Sequence, residues 1–130
     1  MTEEELQRRL DDALPAGERH GVFVEEVGDQ DVRLRFEMPP GRGWSDAALL
    51  AVVDTSLRAA AALRAAAGLE ARLTHLSLTR LKPPQEAEIV AIARVIRRDR
   101  GTVHAEAWLF SHAVVEPVLH ATATLALRSA

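Results

Sequence analysis

The sequence predicts an α+β fold in which an antiparallel sheet packs around a single long apolar helix. Three observations predict it. The stretch from Ser45 to Ala67 contains neither glycine nor proline, four strand-like runs follow it, and apolar residues at Val32, Leu34, Phe36 and Met38 alternate with charged ones before it. Two short strands, one enclosed helix and four long strands leave few economical arrangements, and a curved sheet wrapped around the helix satisfies the burial pattern. A ferredoxin-like sandwich would need a second helix between the later strands, where the sequence has none.

Taken in order, residues Glu3 to Ala13 carry Leu6 and Leu10, with Leu14 beyond, at helical spacing among charges, which predicts a short surface helix within residues 1–14. From His20 to Met38 two strands flank a Gly28-Asp29-Gln30 turn. Pro39-Pro40-Gly41-Arg42-Gly43 reads as a loop between two differently patterned halves of one domain spanning residues 1–130. Ser45 is a good N-cap for the long helix, and Gly68 is the expected C-terminal cap. Ala47 to Val53 and Ala59 to Leu63 leave almost no polar face in its first four turns, so it has to be covered on several sides. The runs Arg72 to Lys82, Glu88 to Arg97, Thr102 to Phe110 and Val118 to Arg128 are joined by short turns, as in an antiparallel meander.

Composition narrows the function. The 130 residues are 48% hydrophobic, enough for a core without staples, and the absence of cysteine excludes disulfides, thiolate metal sites and a cysteine nucleophile. The charged N-terminal segment lacks the apolar stretch of a signal peptide or membrane span, so a cytoplasmic protein is expected. A net charge of -3 gives phosphate backbones no global attraction, and with 4% aromatics and no tyrosine a base-stacking platform is missing. Neither nucleic acid nor membrane is an expected partner. No pair among the five histidines has a metal-ligand spacing on one helix; His75, His104 and His120 read as polar residues on half-exposed sheet faces, and no metal or cofactor is expected.

One residue breaks the apolar helix. Moving an ionised carboxylate such as that of Asp54 out of water costs several kcal/mol (about) unless it is paired or protonated. It either pairs with Arg58 one turn on, an i,i+4 contact of roughly 0.2–0.5 kcal/mol, or faces a cleft as a base or nucleophile.

Ala51-Val52-Val53-Asp54-Thr55 in a long helix is followed by Leu76 to Pro83, by Arg97-Arg98-Asp99-Arg100-Gly101 and by a last strand Leu119 to Thr124. In this order and spacing the chain, from about Gly41 onward, resembles the hot-dog fold acyl-CoA thioesterases of the phenylacetic-acid-degradation type. The resemblance implies a sheet wrapping one long central helix, dimers formed by joining sheets, tetramers in some members, and active sites at the subunit boundary. It implies a thioester hydrolase for acyl-CoA or an acyl carrier, with Asp54 acting on the carbonyl directly or through water and the backbone N–H of Asp46 as oxyanion donor. It also implies Ser45 and Thr55 beside the substrate, a strand hydroxyl near Leu73 to which Thr74 comes closest, and Arg80, Lys82, Arg97, Arg98 and Arg100 as a basic rim for the phosphates of CoA. Family members usually carry His-Gly-Gly from nine residues before the aspartate, where this chain has Ser45-Asp46-Ala47. That departure keeps a second reading open: a non-catalytic hot-dog module that binds acyl thioesters or serves as a dimerisation or assembly domain. A hydratase on the same fold would resemble an aspartate with histidine five residues later, where this chain has Ala59.

Overall fold

The alternation that marks Val32, Leu34 and Phe36 as one face of a strand is realised, with all three buried while their neighbours Arg33 and Arg35 are only half-buried. The computed structural model describes residues 1–13, 21–38, 43–65, 69–84, 87–111 and 115–129. Its elements are α1 (Glu3–Ala13), β1 (Phe23–Val27), β2 (Asp31–Glu37), α2 (Asp46–Ala62), β3 (Leu69–Arg80), β4 (Glu88–Asp99), β5 (Thr102–Phe110) and β6 (Pro117–Ser129). The strands form a six-stranded antiparallel sheet in the order β1-β2-β4-β5-β6-β3.

The expected four-strand meander holds only for β4, β5 and β6. β3 pairs with β6 across eleven residue pairs from Leu69↔Ser129 to Arg80↔Leu119, and β2 takes the place beside β4. The chain enters β3 from α2, which packs on β2, β3, β4, β5 and β6, so the strand after the helix starts a far edge of the sheet. The β4–β5 connection is the tightest, because Asp99 faces Thr102 across Arg100-Gly101 and Gly101 adopts φ +74, a conformation favouring glycine.

The long helix starts as expected. Ser45 has extended backbone angles and its Oγ accepts the N–H of Ala48 at 3.1 Å. It ends earlier than the expected Ala67, at Ala62 with Leu63 as C-cap; Gly68 and the 39–42 part of the proline loop lie outside the described residues. Val52, Val53, Leu57, Ala60 and Ala61 of α2 are fully buried. The helix is nonetheless not covered all round in this chain: Ala47 and Leu50 are exposed and Ala51 half-exposed.

α1 lies at the surface as an amphipathic helix. Its polar face is wet, but Leu6 is fully and Leu10 nearly fully buried against the core. Gln7 fixes it to β1: the side-chain amide donates to the Val22 carbonyl at 3.2 Å and its oxygen accepts the Val24 N–H at 2.7 Å. Leu14 lies outside the described residues.

Candidate functional site

On α2 the residues spaced by helical turns at Ala47, Leu50, Ala51, Asp54 and Arg58 form the face that is not fully buried. Asp54 stands on it with a third of its side chain exposed, and Arg58 Nε donates to its Oδ1 at 2.9 Å. The i,i+4 pairing named from sequence therefore forms. Thr55, one residue on, is buried, and the Ser56 hydroxyl bonds the Val52 carbonyl at 2.7 Å.

At the N-terminus of α2, Asp46 is not left as an uncompensated anion. Arg80, at the end of β3, donates from its guanidinium to Asp46 Oδ1 at 2.5 Å, with both side chains largely in water. Ser45 is used as the cap already described. Lys82 pairs with Glu116, and its hydrogen bond and charge hold the Glu116 carboxyl below the usual carboxylate range. The structure thus brings Ser45, Asp46 and Arg80 together, with Lys82 two residues beyond Arg80.

The other basic residues sit elsewhere. Arg98 donates to the Arg64 carbonyl just past the end of α2, and Arg97 contacts Asp99 Oδ2 at 3.1 Å, which His104 Nε2 also meets at 3.2 Å. Arg100 is exposed in the β4–β5 turn. A cleft of about 400 Å³ there is lined by Leu63, Arg64, Val95, Ile96, Arg97 and Arg98. Because α2 has 17 residues, about 25 Å of helix separates this cluster from Asp46, so in one chain the two basic sets do not form a single rim. Thr74 is also apart: it sits at the bulge between Leu73 and His75 in β3, and its hydroxyl donates to the Thr124 carbonyl at 3.0 Å.

Two features escape a reading of the sequence. One is a cleft of about 160 Å³ between α1, α2 and β3, whose apolar lining includes Leu6, Leu10, Ala59 and Ala62, with the buried Thr55 and the half-exposed Arg58 on the side toward Asp54. The leucines of α1, four residues apart, and the alanines of α2 are its sequence signal. The other is on the outer sheet face, where Glu106 is 12% exposed and lies between Arg94 Nε at 2.5 Å and His120 Nε2 at 3.1 Å. Burial pushes the Glu106 carboxyl up, and the hydrogen bonds and charges of Arg94 and His120 outweigh it, leaving it below its ordinary range. His120 in turn stacks on Trp108 with ring centroids 3.8 Å apart. Among the described residues no group of three or more histidines and acids is placed to hold a metal, and no helix is long and apolar enough to cross a membrane.

No protein-family model matches the chain, and no curated protein matches its sequence. Solved structures do match in three dimensions. A candidate thioesterase of Silicibacter sp. TM1040 superposes with a TM-score of 0.86 over 98% of this chain and 92% of its own, at 19% identity. The thioesterase HI1161 of Haemophilus influenzae gives 0.83 over 99% and 92% at 16% identity. This chain has the hot-dog fold. A phenylacetic acid degradation-related protein of Ralstonia eutropha JMP134 shares that fold with a TM-score of 0.75 over 93% and 98%, at 20% identity. The hot-dog likeness carried by Asp54, the Leu76–Pro83 run and the last strand is therefore met at the level of the fold.

Proposed function

We propose that this chain is a cytoplasmic thioester hydrolase for acyl-CoA or acyl-carrier substrates, with Asp54 as its reacting carboxylate. The observation that carries the reading is Asp54 itself, a carboxylate on the open face of an otherwise apolar helix, next to a residue that lines an apolar cleft. The fold it sits in is shared by proteins named thioesterases. In this reading Asp54 attacks the thioester carbonyl or activates water for the attack, and the Asp46 backbone N–H, at the positive end of α2, receives the oxyanion. Arg80 supports that role by drawing the Asp46 carboxylate to itself.

Helix geometry bears on where a complete site forms. Asp46 and Asp54 lie eight residues apart on α2, about 12 Å along the axis, so one carbonyl cannot be within about 3 Å of both from a single helix. A carbonyl held by both needs the Asp46 amide of a second copy. Two copies joined through the β3 edge, with Leu50 and Ala51 covered in the process, make α2 the central helix of a hot-dog dimer and allow a tetramer of two such pairs. Ser45 and Thr55 then flank the acyl group, Thr74 is the nearest strand hydroxyl, and Arg80, Lys82, Arg97, Arg98 and Arg100 of the two chains meet the phosphates of CoA. No metal or separate cofactor is needed by this chemistry.

The test is free-thiol release from short, medium, long and aryl acyl-CoA, with Asp54→Asn alongside. Loss of a general base costs about 10²- to 10⁴-fold in rate, whereas the ion pair with Arg58 is worth only about 0.2–0.5 kcal/mol of stability. A folded Asp54→Asn protein with full activity on every hydrolysed thioester overturns the assignment. A second reading, a binding or assembly module without turnover, is favoured by Ser45-Asp46-Ala47 in place of His-Gly-Gly and by the engagement of Asp54 with Arg58. It requires calorimetric binding of a nonhydrolysable acyl-CoA analogue with no thiol release.

A further inference from the structure

We infer that the cleft between α1, α2 and β3 is the seat of the acyl tail, and that it admits an apolar group of about six carbons held within one chain. This deepens the thioester reading and rests on it for the identity of the head group, while the cleft itself can be tested separately.

Size sets the occupant. The cleft is open to solvent and measures about 160 Å³, similar in size to the roughly 150 Å³ of an apolar protein cavity that takes up benzene. Its wall is made by Leu6, Leu10 and Ala13 of α1 facing Ala59 and Ala62 of α2, so an apolar guest replaces water against apolar surface. The charged lining residues are Arg9, Arg58 and Glu70. Direction follows from the helix: the buried Thr55 and the half-exposed Arg58, the partner of Asp54, line the cleft at its Asp54 end, and Ala59 and Ala62 continue it one and two turns on from Thr55. A tail entering from a carbonyl at Asp54 therefore runs along α2 toward its C-terminal end. The opposite wall is held in place, because Gln7 ties α1 to β1 through both ends of its amide.

Length selection then depends on Ala62 and Ala13, small residues whose enlargement shortens the cleft. The experiment compares kcat/KM for hexanoyl-CoA and propionyl-CoA in the wild type, Ala62→Leu and Ala13→Leu, and records amide chemical-shift changes on titration with hexanoate. Ala13 is exposed, so Ala13→Leu retains the fold even where Ala62→Leu disturbs it. A methylene gained or lost in an apolar pocket is worth about 10- to 200-fold in discrimination. The hexanoyl-to-propionyl ratio is accordingly expected to fall at least about ten-fold in both variants, with hexanoate shifting the amides of Leu6, Thr55 and Ala59 in the wild type alone. An unchanged ratio in folded variants, or hexanoate shifts confined to other parts of the molecule, overturns the inference. If the wild type hydrolyses no thioester the proposed activity fails, and the hexanoate titration alone then decides the cleft: shifts at those amides lost in Ala13→Leu support it, and their absence refutes it.

Discussion

Glu106→Gln isolates one charge on the outer sheet face. Glu106 keeps 12% of its side chain exposed between Arg94 Nε and His120 Nε2, while the Arg94 side chain is 60% exposed. Hydrogen bonds to charged groups contribute about 1.5–3 kcal/mol, and solvent around Arg94 reduces its share. Replacing the carboxylate by an amide of the same shape is expected to cost about 1–2 kcal/mol. At about 2.1 cal/mol/K per residue, 130 residues give an unfolding entropy near 0.27 kcal/mol/K, so Tm falls by about 4–7 °C. The pH dependence has a definite sign. The folded pKa of Glu106 is depressed below the reference 4.5, so its stabilisation is fully present above that value and is lost as the pH falls through the folded pKa. Calorimetric melts from about pH 7 down to about pH 3 should show a gap between wild type and Glu106→Gln that is present while the carboxylate is ionised and closes in acid as it is protonated. Equal Tm values at neutral pH, or curves that stay parallel into acid, would refute the reasoning.

Ser45→Ala removes the side-chain acceptor of the Ala48 N–H and should destabilise the fold by about 1 kcal/mol, read as a lower urea midpoint with an unchanged slope. Leu57→Ala empties a fully buried position in the middle of α2 and should cost about 2–5 kcal/mol in the same assay. A loss below about 1 kcal/mol there would mean that the sheet collapses onto the helix rather than leaving a cavity.

What the sequence reveals depends on how local the cause is. Ser45 is legible as a cap because its partner is three residues away, and β5 matches its expected bounds because alternation and the Arg100-Gly101 turn are both local. The end of α2 is not, since Leu63 caps it well before the glycine that signals a stop, and the Arg64 carbonyl beyond it is met by Arg98, 34 residues on. The place of β3 is equally invisible: nothing in Leu69–Arg80 says that its partner is β6 rather than β4. At the candidate site the same rule holds. Asp54 and Arg58 are one turn apart and were readable as a pair, whereas the Arg80–Asp46 contact and the Glu106–His120 contact depend on long-range placement and sheet register.

The amide of Gln7 has a consequence for how the sheet can grow. It occupies the Val22 carbonyl and the Val24 N–H on the outer side of β1, so that end of the sheet meets a helix where another strand would have to dock. β3, at the other end, has a strand partner on one side only among the described residues. A ribbon blocked at one end and open at the other has a valency of one. Any pairing of chains through β3 about a two-fold axis stops the growth of the sheet at two chains, because each finished pair carries α1, tied down by Gln7, at both extremities where a further strand would add.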